Sequence, residues 1–140
     1  MSAFVLDCSV AVSWLFEDEA RTDTDALQPL LAAAGGSVPA LWLLEVSNVL
    51  MQAERRGRID APGADERLDL LESLPLLVDT EHSASVNRQV IRLARAYRLT
   101  SYDAAYLELA LRKDLPLATL DKAMRAAADA EGVACLPRDI

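Results

Sequence analysis

Phe4-Val5-Leu6-Asp7-Cys8-Ser9-Val10-Ala11-Val12-Ser13-Trp14-Leu15 decides the architecture. Three apolar residues stop at Asp7-Cys8-Ser9, after which Val10, Val12, Trp14 and Leu15 continue at helix-compatible spacing. That is a short buried strand passing directly into a helix. Near the other end, Pro116-Leu117-Ala118-Thr119-Leu120 reads as a strand ending at Asp121, with a helix over 122–130. In each case an aspartate sits where a strand hands over to a helix.

Between these units the alternation continues. Residues 19–34 read as one helix stopped by Gly35-Gly36, and Ser37-Val38-Pro39 as a short extended segment. Leu41 to Arg56 reads as a helix with Leu43, Val46, Val49 and Leu50 on its core face and Gly57 as its terminator. A helix over Asp60–Ser73 carries Pro62 in its first turn, and Leu76-Leu77-Val78 is a strand closed by Asp79. Helices over Ser83–Tyr97 and 102–113 follow, and Gly132 to Leu136 closes as a last strand. Short apolar strands alternating with helices predict an α/β fold: a mostly parallel sheet covered on both faces, with its site at the carboxyl ends of the strands. One domain over residues 1–140 is expected, because the length is near the commonest domain size and no linker or repeat interrupts it.

Apolar residues make up 52% of the chain and aromatics 5%, so the core must come largely from Leu, Val and Ala. Cys8 and Cys135 are too few for a disulfide framework and match no metal spacing, which points to a reducing, cytoplasmic setting. The apolar stretch Met1 to Phe16 lacks a basic flank and is broken by Asp7, Ser9 and Ser13, so neither a signal peptide nor a membrane span is expected. The net charge of −8 argues against a broad polyanion-binding surface. The charge is uneven, however: residues 1–81 carry five basic against fifteen acidic residues, and residues 82–140 nine against seven. Local patches at Arg55, Arg56 and Arg58, or along Arg88, Arg92 and Arg95, are the candidate contacts for RNA; a solvated helix face accounts for them equally well.

Four acidic residues stand in apolar surroundings: Val5-Leu6-Asp7, Leu43-Leu44-Glu45-Val46, Tyr102-Asp103-Ala104-Ala105-Tyr106 and Thr119-Leu120-Asp121. Burying carboxylates near one another is costly unless a cation neutralises them. Oxygen donors suit Mg²⁺ or Mn²⁺, whereas Zn²⁺ would want His or Cys that this chain barely offers. Asp7, Asp103 and Asp121 also lie at or near helix starts, where an acidic side chain can simply cap free N–H groups. Thr100 with Asp103 resembles a capping box. Glu45 follows four apolar residues near a helix start but lies between core-facing positions, which favours a functional role over a structural one. His82, the only histidine, has no sequence neighbour to work with and reads as incidental, which excludes a Ser-His-Asp triad. Hydrolysis by this chain would have to use a water activated by metal.

Taken together, the segments Val5-Leu6-Asp7-Cys8-Ser9-Val10, Leu44-Glu45-Val46-Ser47-Asn48-Val49-Leu50, Thr100-Ser101-Tyr102-Asp103-Ala104-Ala105-Tyr106-Leu107 and Leu117-Ala118-Thr119-Leu120-Asp121 resemble the PIN-domain family. The likeness is to the VapC toxins of type II toxin–antitoxin pairs, and it spans nearly the whole chain. The resemblance implies a three-layer α/β/α fold with a short parallel sheet in the order 3-2-1-4-5, a homodimer, and Mg²⁺- or Mn²⁺-dependent endonucleolytic cleavage of RNA. It places Asp7, Glu45, Asp103 and Asp121 at the family's four acidic positions, as metal ligands and catalytic residues. Ser9, Asn48 and Thr119 fall on polar positions that support them. It also implies a small VapB-type antitoxin that lays an apolar segment into a groove between the N-terminal helices. Trp14, Leu15 and Trp42 are the candidate contacts there, though ordinary core packing accounts for both tryptophans equally well, and a basic antitoxin residue would be directed at the carboxylates. A receiver-type signalling domain is disfavoured because Glu17, Asp18 and Glu19 follow a helix rather than a strand. An Asp-x-Asp phosphatase fails because Ser9 occupies the second position. The remaining alternative is a catalytically silent PIN-like module that binds RNA or protein.

Overall fold

A computed structural model of the chain describes residues 2–138 and 140; Met1, where the apolar N-terminal stretch begins, lies outside them. Five strands, β1 (Phe4–Leu6), β2 (Gly36–Pro39), β3 (Leu76–Asp79), β4 (Leu117–Ala118) and β5 (Cys135–Leu136), form one sheet in the order β3-β2-β1-β4-β5. Every neighbouring pair is parallel, with Phe4 opposite Gly36, Val5 opposite Leu117 and Gly36 opposite Leu76. Such pairing requires helical crossovers, and these cover both faces of the sheet. The chain builds outward from β1 to β2 and β3, then crosses back to place β4 on the other side of β1. The switch point between β1 and β4 is where a parallel sheet opens a crevice for chemistry.

The helices are α1 (Cys8–Leu15), α2 (Thr22–Asp25), α3 (Gln28–Ala34), α4 (Trp42–Arg55), α5 (Ala61–Glu72), α6 (Ala84–Tyr97), α7 (Ser101–Lys113) and α8 (Lys122–Ala130). Phe4, Val5 and Leu6 are wholly buried, as are Leu107, Leu109 and Leu117, so β1 and the middle of α7 form the centre of the core. Thr100, Ser83 and Asp60 each accept a bond from the backbone N–H three residues on, fixing the starts of α7, α6 and α5.

Two helical expectations are corrected. Residues 19–34 are not one helix: a 3-10 turn at Glu17–Glu19 is followed by α2 and α3 as separate pieces. Thr24 turns fully inward and its hydroxyl accepts a bond from Ser13, while Pro29, which has no N–H to donate, is tolerated only in the first turn of a new helix. On α4 the buried face is Trp42, Val46, Leu50 and Ala53, so Leu43 is turned out, 44% exposed, and its neighbour Leu44 is 76% exposed. The strands β4 and β5 are also shorter than the segments 116–120 and 132–136 read from the sequence. Gly35 ends α3 as expected: its φ is +75°, and a Cβ there would stand 2.9 Å from the carbonyl oxygen of Pro75.

Candidate active site

Asp7 follows β1 immediately, and its backbone N–H donates to the carbonyl of Ala118 in β4 at 3.0 Å, so it sits at the switch point. It is the N-cap residue of α1, yet its side chain makes no capping hydrogen bond. Its carboxylate instead receives two hydroxyls on the same oxygen: Ser9 donates to Oδ2 at 2.6 Å and Thr119 donates to it at 2.8 Å. Ser9 and Thr119 are themselves located by backbone N–H groups, since Leu120 N donates to Ser9 Oγ and Asp121 N donates to Thr119 Oγ1. These four bonds lock the end of β1 to the end of β4.

Glu45 lies in the first turn of α4, half-buried, and Oε1 accepts a 2.5 Å hydrogen bond from the hydroxyl of Tyr106 on α7. Asp103, in the first turn of α7, does not cap that helix; Thr100 does so by accepting from Asp103 N at 3.1 Å. Asp121 does cap: Oδ1 accepts from Met124 N at 2.9 Å at the start of α8. Asn48 stands one turn beyond Glu45 on α4, exposed and without a hydrogen bond to any of the four acids.

The electrostatics tie the four together. Burial pushes the Asp7 carboxyl above its usual range, and the Ser9 and Thr119 hydroxyls offset only part of the shift. Glu45 is raised by burial, lowered in part by Tyr106, and raised again by the charges of Asp7 and Asp103. Asp103 is raised by burial and then by Asp7 and Asp121. Among the described residues, none of the four pairs with a Lys, Arg or His. Cys8, next to this cluster, has its thiol pushed up to about 12 by burial and by the Asp7 and Glu45 charges, so it stays protonated at neutral pH in the metal-free protein.

Mutual repulsion without a basic partner suits a divalent cation. The available donors are carboxylate and hydroxyl oxygens, the set that Mg²⁺ and Mn²⁺ accept. Among the described residues no three His, Cys, Asp or Glu side chains stand close enough to enclose an ion.

Tyr106 is the site feature that reading the sequence missed. Its spacing from Asp103, three residues along a helix, puts both on one face of α7. Its partner is 61 residues away, however, and no local pattern reports that contact. Of the two readings of Trp42, core packing holds: it is only 2% exposed, so it is unavailable as a partner contact. His82 is exposed, in the segment between β3 and α6.

The PIN-domain family description matches residues 4–130, and the chain belongs to that family, whose fold is generally that of a nuclease. The crystal structure of PAE2754 from Pyrobaculum aerophilum is similar, with a TM-score of 0.73 and 23% sequence identity, covering 96% of this chain and 90% of that one. That likeness shows the shared fold. None of the curated proteins matches the chain.

Proposed function

We propose that this protein is the toxin of a type II toxin–antitoxin pair of the VapC kind, a cytoplasmic endoribonuclease dependent on Mg²⁺ or Mn²⁺. The observation that supports the reading is that Asp7, Glu45, Asp103 and Asp121 are linked by one another's charge with no basic partner among the described residues, and that Asp7 stands at the β1–β4 switch point. Asp7, Asp103 and Asp121 would hold the ion, directly or through water, and Glu45 would hold it or orient the attacking water. When bound, the ion lowers the pKa of that water and offsets charge developing at phosphorus. Ser9 and Thr119 fix the Asp7 carboxylate without neutralising it, and Asn48 stands on the same helix face as a candidate contact at the mouth. RNA rather than duplex DNA as substrate rests on the family resemblance. Of the arginines singled out for RNA, Arg58 is paired with Asp18 and Glu19, and Arg92 with Glu131. Arg55, Arg56, Arg88 and Arg95 are exposed and unpaired among the described residues, and these are the ones to contact phosphate.

An antitoxin groove is supported by a cavity of about 510 Å³ between α1, α3 and α5, lined by Trp14, Leu15, Leu31, Leu70, Leu71 and Leu74. Trp14 stands seven residues along α1 from Asp7, about 10 Å by helical rise, so an antitoxin must reach past the groove to place a basic residue at the carboxylates. Exposed Leu43, Leu44 and Met51 on α4 favour a homodimer that covers them. No helix among the described residues is long and apolar enough to cross a membrane. The test is incubation with total RNA and Mn²⁺, followed by mapping of new 5′ ends. Discrete new ends are the expected result, and RNA that is bound but left intact would favour the silent binding module.

A further inference from the structure

We infer that Tyr106 is a positioning residue for the metal centre: its hydroxyl holds one oxygen of Glu45 and leaves the other oriented for an ion. This rests on the metal-dependent reading above. The Tyr106 ring is completely buried beside the core of α7, so its hydroxyl cannot turn to solvent and must find a partner inside the protein. That partner is Glu45 Oε1, at the short distance of 2.5 Å typical of a bond to an ionised acceptor.

Glu45 has three rotatable side-chain bonds, is half-buried, and is repelled by Asp7 and Asp103. Left untethered, it would swing away from those charges toward solvent. The phenol prevents this while leaving the negative charge in place, which a lysine or arginine at the same position would cancel. Asp7 is handled by the same chemistry, with Ser9 and Thr119 both donating to one of its oxygens. The two carboxylates flanking the switch point are thus each held by neutral hydroxyls, a way of orienting metal ligands without satisfying them electrostatically.

The rest of the chain provides an internal control. Tyr97 donates its hydroxyl to Glu131, but that glutamate is also paired with Arg92 and none of the four site carboxylates contributes to its charge environment. Tyr106→Phe and Tyr97→Phe therefore remove the same group from the same kind of bond, one within the cluster and one away from it. Mn²⁺ affinity of the metal-free protein, measured by titration calorimetry or by the Mn²⁺ paramagnetic resonance signal, should weaken about tenfold in Tyr106→Phe. It should stay at the wild-type value in Tyr97→Phe. Both variants keep the ring, and the melting temperature without metal checks that each is folded. Unchanged Mn²⁺ affinity in a folded Tyr106→Phe protein overturns the positioning role while leaving the metal site intact. An equal loss in the two variants also overturns it, because the effect would then be general to the fold. Failure of the wild type to bind Mn²⁺ overturns both this inference and the metal-dependent reading.

Discussion

Thr119 donates its hydroxyl to Asp7 Oδ2 at 2.8 Å across 112 residues of sequence, and its own Oγ1 accepts the backbone N–H of Asp121. One buried hydroxyl therefore joins two of the four acidic positions and the ends of two strands. Thr119→Val keeps the branched shape but leaves the Asp121 N–H without its acceptor and Asp7 with Ser9 as its only hydroxyl donor. Unfolding measurements should show a loss of about 1–3 kcal/mol, together with weaker Mn²⁺ binding. A Val variant as stable and as tight for Mn²⁺ as wild type would mean that this contact is incidental.

The raised pKa values of Asp7, Glu45 and Asp103, each due first to burial, set the sign of a pH effect. Above the ordinary carboxylate range near pH 4, the folded state retains protons that the unfolded state has released. Stability of the metal-free protein from these groups therefore falls as pH rises through that window toward neutrality. Asp79 and Glu131, lowered by Arg112 and Arg92 respectively, act in the opposite sense, and their stabilisation is lost only as pH drops below the ordinary range. The melting temperature without metal should decline as pH rises from the ordinary carboxylate range toward neutrality, and saturating Mn²⁺ should flatten the curve because it binds only the folded state. A metal-free protein that grows steadily more stable over that interval would contradict the electrostatic account of the cluster.

Asp121 has two duties to separate, since it caps α8 and also raises the pKa of Asp103. Asp121→Asn retains an oxygen for the Met124 N–H and should keep stability, whereas Asp121→Ala should lose about 1 kcal/mol. Both should lose Mn²⁺ affinity to a similar degree. If the Asn variant binds Mn²⁺ as tightly as wild type, Asp121 is a cap alone.

Leu70 lines the groove beside Trp14 and is 54% exposed, so it contributes little to the core. Leu70→Glu should change the stability of the free protein by less than about 0.5 kcal/mol yet abolish complex formation with the proposed antitoxin. Copurification of the Leu70→Glu protein with that antitoxin at wild-type yield would place the interface elsewhere.

Much of this architecture is legible in the sequence because it is local. The run Phe4-Val5-Leu6 followed by Asp7 announces a buried strand ending at a polar site, and the helix over Lys122–Ala130 is bounded as its amphipathic pattern dictates. What escapes is whatever depends on distant partners. The break between α2 and α3 turns on Thr24 meeting Ser13, and the outward turn of Leu43 on which face of α4 meets the core. Trp42 and Trp14 look alike as tryptophans near the N-terminal helices, but one is core and the other lines a groove. The capping roles of the acids likewise depend on side-chain geometry: three stand near helix starts, and of these only Asp121 spends its carboxylate on a cap.

The most direct test of the central claim is single-turnover cleavage of an RNA identified by 5′-end mapping, with Mn²⁺ present, by wild type and by Asp7→Asn. Asparagine keeps the shape of Asp7 and can still accept from Ser9 and Thr119, while it removes one buried charge from the cluster. The account predicts a folded variant, at least as stable as metal-free wild type, whose cleavage rate falls by about a hundredfold or more. Cleavage by Asp7→Asn at the wild-type rate, or by wild type at the same rate in excess chelator, would contradict a carboxylate-held metal as the origin of the activity.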